Sequence, residues 1–205
     1  MPLQNRVAPD GSLHAVVARG LFMGNRGGRI HDPETRSLTR RRWASKAWIC
    51  CVTSFRDRHR SVWGRSYTEL FFLDEVTALA AGHRPCFECR RSDAIGFAEA
   101  WADSRSEPGR ARAAAMDTVL HGERTTSAHQ TPTISQVAAL PDGAVIAVDS
   151  RPFAVRNGKL LPWSFDFYGA PVVLPENKRL ALLTPPSMVN VLRAGYRPVW
   201  HESAG

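Results

Sequence analysis

The sequence lacks any apolar run of the length that a membrane helix needs, although it has 205 residues and 43% hydrophobic content. The first residues also lack the apolar core of a signal peptide. These absences argue against a membrane partner and predict a cytoplasmic protein. The length is enough for one substantial core or two small ones.

Cysteine is scarce. The chain has four, of which Cys50 and Cys51 are adjacent, whereas Cys86 and Cys89 have C-x-x-C spacing. Disulfide frameworks in small secreted domains need more cysteines at regular intervals, so this pattern does not predict one. In a reducing compartment, the pattern indicates metal binding or thiol chemistry.

Lysine and acidic residues are also scarce, and the charge is unevenly distributed. Only three of the 27 basic residues are lysine. A basic segment, residues 24–65, holds eleven basic and three acidic residues, and 11 − 3 = +8 equals the net charge of the whole chain. Such clustering is typical of polyanion binding and predicts a nucleic-acid partner, although a GC-rich coding sequence would also enrich arginine. The predicted contact residues are Arg26, Arg29, Arg40, Arg41, Arg42, Arg56, Arg58 and Arg60.

The periodicity predicts an α+β protein with two modules, 1–123 and 136–205. The first is a zinc-stabilised small antiparallel sheet with helices, in which 47–55, 61–64 and 67–73 are strands. Asp74 caps a short helix that Gly82 ends, and 92–101 and 110–123 are helices. The second is β-rich: 144–148, a hairpin around Asn157-Gly158, 180–183, a helix after Pro185-Pro186, and a closing strand at 196–201.

The segment Gly82-His83-Arg84-Pro85-Cys86-Phe87-Glu88-Cys89-Arg90 is interpreted as a zinc knuckle. In a tight turn, C-x-x-C lets both sulfurs meet one Zn²⁺ ion, which prefers four thiolate or imidazole ligands in a tetrahedron. The flanking arginines favour thiolate over thiol. A redox motif is the rival interpretation, but such a motif follows a strand, whereas this one follows the glycine that ends a helix.

The knuckle supplies two ligands, so two must come from elsewhere. Cys50 and Cys51 lie on a predicted strand and point to opposite faces, so only one can reach the metal. Both faces look buried; we favour Cys51 and leave Cys50 open. For the fourth ligand we favour His83, three residues before Cys86, with His31 and His59 as alternatives. The predicted site is therefore Cys51, His83, Cys86 and Cys89 around Zn²⁺.

Residues 71–91 resemble the second half of the Ada-type metal-binding domain. The shared pattern is two aromatics (Phe71-Phe72), a short Ala-rich helix, Ala-Ala-Gly and then Arg-Pro-Cys-x-x-Cys-Arg. In that family a four-cysteine zinc site repairs methyl phosphotriesters in DNA, and one zinc-bound cysteine accepts the methyl group. The resemblance implies a zinc site at Cys86 and Cys89 and favours DNA over RNA as the partner. The chain as a whole also resembles a bacterial protein family.

The sequence departs from the Ada pattern in two respects. The family's first cysteine pair is spaced Cys-x-x-x-Cys, whereas the upstream cysteines here are adjacent and distant, and His83 replaces a usual aromatic. Three hypotheses follow. The leading one is a zinc protein associated with nucleic acid through the basic segment. The alternatives are an enzyme whose zinc-bound thiolate is an alkyl acceptor or nucleophile, and a non-catalytic zinc-stapled protein-interaction module.

Overall fold

The computed structural model describes residues 1–58, 61–125, 131–173 and 178–205, and it confirms the predicted α+β class. The strands are β1 (Arg6–Val7), β2 (Leu13–His14), β3 (Phe22–Arg26), β4 (His31–Asp32), β5 (Ser37–Leu38), β6 (Trp48–Val52), β7 (Leu70–Phe72), β8 (Arg84–Pro85), β9 (Val145–Val148), β10 (Arg151–Arg156), β11 (Lys159–Pro162) and β12 (Leu180–Leu182). The helices are α1 (Glu75–Ala80), α2 (Arg91–Asp103), α3 (Ala113–Thr125), α4 (Ile134–Ala138) and α5 (Pro186–Arg193), with a final 3₁₀ turn at Glu202–Ala204.

The first sheet has the strand order β2-β1-β7-β3-β6-β8. Its centre, β7-β3-β6, is antiparallel, but β1 pairs with β7 and β8 pairs with β6 in parallel. The sheet is therefore mixed rather than antiparallel as predicted. The parallel β6–β8 pair arises because the chain leaves the sheet after β7, forms α1 and returns beside β6. This return places the C-x-x-C segment next to the strand that carries Cys50 and Cys51.

Strand β3 has a glycine at its centre. Gly24 lies within the sheet, paired with Cys50 on one side and Leu70 on the other. A Cβ atom at Gly24 would lie 2.1 Å from the Ile49 carbonyl oxygen and 2.9 Å from the Phe72 ring, so the close approach of the chain requires glycine here. The turn begins later, at Gly27, with a φ of +77°.

The second sheet is antiparallel, in the order β11-β10-β9-β12. The predicted hairpin is confirmed, because Arg156 pairs with Lys159 across Asn157 and Gly158, whose φ angles are both positive. These angles belong to the type I′ turn that Asn-Gly favours.

Three elements differ from the prediction. The predicted strands 61–64 and 196–201 are not strands, whereas helix α4, with a capping box at Thr133, was not predicted.

Helix α1 lies at the centre of the molecule, and all six of its residues are buried. Asp74 caps it as predicted, accepting hydrogen bonds from the Thr77 amide (2.9 Å) and hydroxyl (2.8 Å). Glu75 accepts from Arg90 Nη2 (2.8 Å), the Tyr196 hydroxyl (2.6 Å) and the Val199 amide (2.9 Å). Buried carboxylates need such partners, and these partners join α1 to the C-terminal segment.

The hydrophobic clusters contain residues from both predicted modules. Leu79, Phe97 and Met116 pack with Met188 and Leu192 in one cluster. The boundary between modules 1–123 and 136–205 stays a prediction, but the two segments share their core. Among the described residues, no helix combines the length and apolar character needed to cross a membrane.

Candidate metal centre

The two adjacent cysteines of β6 occupy opposite faces of the first sheet. On the closed face, Cys50 is fully buried and clusters with Phe22, Leu70 and Phe72, against α1. On the open face, Cys51 is cross-strand neighbour to Met23, which in turn pairs with Phe71. The sheet therefore resolves the choice that the sequence left open, because Cys51 alone points away from the core.

Strand β8 brings the C-x-x-C segment to the same edge. The segment therefore lies between a strand and helix α2, contrary to the expectation by which the sequence argued against a redox motif. Pro85 pairs with Cys50, and the Cys86 amide donates to the Cys50 carbonyl oxygen at 2.9 Å. The chain then turns, with the Arg90 amide bonded to the Cys86 carbonyl oxygen at 3.0 Å, and α2 begins. Within the turn the Glu88 amide donates to Cys86 Sγ at 3.4 Å. An amide pointing at sulfur stabilises a thiolate there.

The Sγ atoms of Cys51, Cys86 and Cys89, here called the cysteine cluster, lie within 4.8 Å of one another and could hold a metal ion. A tetrahedral zinc site has Zn–S bonds of about 2.3 Å and hence S–S separations of about 3.8 Å. Small side-chain movements would reach that geometry. Three cysteine sulfurs, one of which accepts a hydrogen bond from an amide, fit a soft or borderline ion such as zinc, whereas Mg²⁺ and Ca²⁺ prefer oxygen ligands.

The protonation pattern follows from the proximity of the three sulfurs. The pKa of Cys86 is lowered because the thiols of Cys51 and Cys89 donate hydrogen bonds to it, and because the amides of Cys89 and Glu88 point at it. The pKa of Cys51 is raised, since its proton is shared with Cys86 and Cys89 and the group is desolvated. The two neighbouring thiols thus favour the thiolate form of Cys86, and a bound metal ion would take the place of the remaining protons.

A cavity of about 410 Å³ adjoins the cysteine cluster. Its floor is the open face of the sheet, and its lining includes all three cysteines. A metal ion held by three protein ligands has a further coordination position, which catalytic zinc sites leave for water or substrate. The cluster is therefore next to space that a ligand could occupy.

Glu69 is a cavity residue that the sequence analysis missed. Its Oε2 atom accepts a hydrogen bond from the Trp63 amide at 2.8 Å, and its backbone oxygen accepts from the Trp63 indole at 3.0 Å. The residue is only 3% exposed, and Oε1 is buried without a hydrogen-bond partner among the described residues. A carboxylate two positions before Phe71 in an apolar strand was the available signal, because alternation puts both on one face.

The structure does not bring the predicted fourth ligand to the cluster. His83 is fully buried on the closed side, with its ring centroid 4.9 Å from that of Trp48 and 4.8 Å from that of Phe72. The reason lies in the helix end, where the His83 amide bonds to the Ala78 carbonyl oxygen and turns the side chain towards the core. The cluster therefore consists of three cysteines.

The alternative histidines are also placed elsewhere or not described. The two ring nitrogens of His31 bond to the Thr68 hydroxyl (2.7 Å) and the Gly64 carbonyl oxygen (2.8 Å), and its ring stacks on Trp63. His31 therefore has a structural role. His59 lies outside the described residues, as does Arg60.

The predicted nucleic-acid contacts divide by exposure. Arg26 is a correction, because it is buried, its guanidinium stacks on Trp48 at 4.2 Å, and Nη2 donates to the Gly11 carbonyl oxygen at 2.6 Å. Burial, followed by the neighbouring charges of Arg42 and Arg124, lowers its pKa to about 9. The predicted contacts that are exposed are Arg29, Arg40, Arg41, Arg42, Arg56 and Arg58.

No protein-family model, curated protein or solved structure matches this chain. The resemblance to the Ada-type domain therefore stays a prediction from about twenty residues. The geometry of the cluster and the cavity has to carry the functional argument.

Proposed function

We propose that the cysteine cluster binds one Zn²⁺ ion through Cys51, Cys86 and Cys89. The observation that carries this proposal is the convergence of three thiols from two separate segments to within 4.8 Å. All four cysteines are free thiols. Bound zinc would keep the three sulfurs deprotonated and act as a Lewis acid beside the cavity.

The metal content of purified variants tests the zinc proposal. We expect about one zinc ion per wild-type chain and a near-complete loss in Cys51→Ser and Cys86→Ser, because two thiolates hold zinc weakly. Cys50→Ser is the matched control, being the adjacent residue on the closed face, and should retain the metal. Wild-type protein that takes up no zinc from zinc-containing solution, or a Cys51→Ser variant that keeps a full complement, would disprove the proposal.

We further propose that the protein associates with nucleic acid, DNA in the first place, through the basic segment. Support comes from the exposed guanidinium groups of Arg40, Arg41 and Arg42, which follow one another on a described surface loop. Exposed arginines bind phosphate oxygens through bidentate hydrogen bonds and displace the counterions of the nucleic acid. Arg26 takes no part in this surface, because its guanidinium is committed to Trp48 and Gly11.

The salt dependence of DNA binding tests this association. The affinity should fall steeply with salt, and Arg40→Gln/Arg41→Gln/Arg42→Gln should reduce the slope of log affinity against log salt by up to about 2.7, or about 0.9 per phosphate contact. A control with the same charge loss is Arg110→Gln/Arg112→Gln/Arg151→Gln, which removes exposed arginines from outside the basic segment. Equal slopes in the two triple variants would exclude the basic segment as the contact surface.

A second candidate function is alkyl acceptance by Cys51, as the Ada resemblance implies. The observation in its favour is that Cys51 lines the cavity, so that its sulfur borders space that an alkylated phosphate could enter. In such a step the sulfur attacks the methyl carbon, the S–C bond forms, the C–O bond breaks, and the phosphodiester leaves as an anion. Metal coordination preserves the nucleophilic thiolate that this step requires.

Intact-protein mass spectrometry after incubation with methyl-phosphotriester DNA tests this alternative. The expected result is one added methyl group per chain, located on Cys51 by peptide mapping, with Cys50 unmodified. A chain of unchanged mass that still binds zinc would exclude alkyl transfer and leave the zinc proposal intact.

A further inference from the structure

The cavity beside the cysteine cluster has a floor whose composition changes across the sheet. In the register of β7, β3 and β6, Phe71, Met23 and Cys51 form one row on the open face. Two residues further along β3, Asn25 pairs with Ile49 of β6. On the β7 side of β3, the same register places Glu69 opposite Asn25. Because rows on one face are two residues apart, Glu69 lies diagonally across the floor from Cys51, about 12 Å between Cα atoms.

Glu69 is the lining residue that most strongly restricts the chemistry of a ligand in the cavity. One carboxylate oxygen is occupied by the Trp63 amide at 2.8 Å, whereas Oε1 is buried and has no donor among the described residues. Leaving a buried acceptor unpaired costs about 1–3 kcal/mol, and more when it is charged. A ligand that brings an N–H group to Oε1 recovers this energy, and a ligand without one does not.

The other walls favour a flat ligand. Phe55, Tyr67 and Phe71 line the cavity together with aliphatic side chains, and its volume of about 410 Å³ lies within the usual range of small-molecule sites. Aromatic side chains next to a buried, unpaired hydrogen-bond acceptor suit the stacking of a planar heterocycle that carries an amino group. Saturated or purely anionic ligands would leave Glu69 Oε1 without a donor.

The cavity also has a cation in its lining. Arg58 lines it and forms an exposed pair with Glu88 at 2.6 Å, and the guanidinium groups of Arg56 and Arg58 lie 4.9 and 5.5 Å from the Phe55 ring centroid. Exposed ion pairs exchange easily with other anions. A phosphate next to the cavity could therefore take the place of Glu88 on Arg58.

We propose that this cavity binds one unpaired nucleotide whose base carries an exocyclic amino group, that is, cytosine, adenine or guanine. The amino group donates to Glu69 Oε1, the base stacks against the aromatic walls, and the phosphate contacts Arg58. Carboxylates are the usual acceptors for the cytosine amino group. This proposal rests on the proposed association with nucleic acid, and it adds that a single base leaves its stack and enters the protein next to the cysteine cluster.

Titration of the zinc-loaded full chain with nucleoside 5′-monophosphates tests the proposal. Heteronuclear NMR spectra, recorded up to millimolar ligand concentrations, monitor the binding. The probes are cytidine and adenosine monophosphates and their analogues with hydrogen in place of the amino group, the 5′-monophosphates of 2-pyrimidinone riboside and purine riboside. We expect the analogues to bind about 10- to 100-fold more weakly, because they leave Oε1 unpaired. Resonances of Asn25, Thr53 and Phe71 should shift with the parent nucleotides.

The key variant is Glu69→Gln. Its carbonyl can still accept from the Trp63 amide, whereas the group at the position of the unpaired Oε1 changes from acceptor to donor. We expect this variant to lose the preference for amino-bearing bases while keeping its zinc, and the exposed Glu99→Gln on α2 to behave as wild type. Equal binding of parent and analogue to wild type, a preserved preference in Glu69→Gln, or no resonance shift would each overturn the proposal.

These outcomes are separable from failure of the proposed function. Loss of zinc or of salt-dependent DNA binding in the wild type would be seen in the metal and salt experiments, without any nucleotide. Conversely, wild-type protein that holds zinc and binds DNA but does not distinguish the analogues would refute the base pocket alone.

Discussion

Adjacent residues on the strands of the first sheet have different surroundings, because they lie on opposite faces. On the closed face, Phe22, Cys50 and Phe72 are buried against α1. On the open face, their chain neighbours Met23, Cys51 and Phe71 line a cavity. Because successive side chains of a β-strand point to opposite faces, this sheet places residues that form the core on one face and residues that line the cavity on the other. Changes on the closed face should affect folding, and those on the open face should affect ligands.

The largest expected effect comes from Glu75 beneath the closed face. Glu75→Ala should lower the free energy of unfolding by about 5 kcal/mol, at the top of the range for broken buried ion pairs, since it also removes the acceptor of the Tyr196 hydroxyl. Urea denaturation of the purified variant measures this loss.

The matched control is Asp93→Ala. Asp93 also pairs with Arg90, at 2.7 Å, but its side chain is 45% exposed. Water can replace an exposed partner, so the expected loss is at most about 1 kcal/mol. Similar losses in the two variants would show that burial does not distinguish the two carboxylates, and would weaken the contrast between the faces.

A second effect, about 3–5 kcal/mol, is expected for Phe72→Ala. Phe72 is fully buried, and its removal leaves a cavity against α1. Phe71→Ala, one residue away on the open face, should cost about 1 kcal/mol or less in stability, because the ring borders space that already exists. Thermal and chemical denaturation of both variants measure the contrast, which equal losses would contradict.

The smallest effect is a pH dependence at His83. Burial, followed by the charges of Arg26 and Arg124, lowers the pKa of His83 well below its ordinary value of 6.5. Below pH 6.5, His83 therefore binds a proton in the unfolded chain but stays neutral in the folded chain. The stability from neutral His83 is present above pH 6.5 and is lost as pH falls below it, by up to about 1.4 kcal/mol per pH unit.

Denaturation of chelator-treated protein between pH 7 and pH 5 measures this effect without a metal contribution. His83→Leu should flatten the pH dependence relative to wild type. Cys50→Ala controls for lost packing on the same face, because burial raises the pKa of Cys50 and keeps it neutral throughout. An unchanged slope in His83→Leu would show that His83 accepts protons in the folded state.

Much of the fold could be predicted from local signals. Asp74 and Gly82 bound α1, and Asn157-Gly158 set the hairpin, because caps and tight turns depend on a few neighbouring residues. The position of β3 could not be predicted, since Gly24 is required by contacts with Ile49 and Phe72, which are distant in sequence. For the same reason, α5 packs into the core of the first module without any local sign of it.

The candidate site followed the same division. Cys86 and Cys89 could be predicted from their spacing, and the alternation of β6 reduced the third ligand to two choices. The choice of Cys51 depends on which face α1 covers, which is a tertiary fact. The prediction of His83 as a metal ligand was wrong. Its position three residues before Cys86 does not determine the direction in which its side chain points. Arg26 was likewise assigned to the surface, although the Trp48 ring holds it inside.

The partners of α1 have a consequence for synthesis. Asp74 bonds to Tyr168 and to the His201 amide, and Glu75 bonds to Tyr196 and Val199, residues 94 to 127 positions later in the chain. Translation at about 5–20 residues per second means that both carboxylates wait several seconds or more on the ribosome before their partners emerge. Cys50 and Cys51 are synthesised before that interval, and the knuckle is synthesised at its beginning. We therefore expect metal capture to precede the closing of the core.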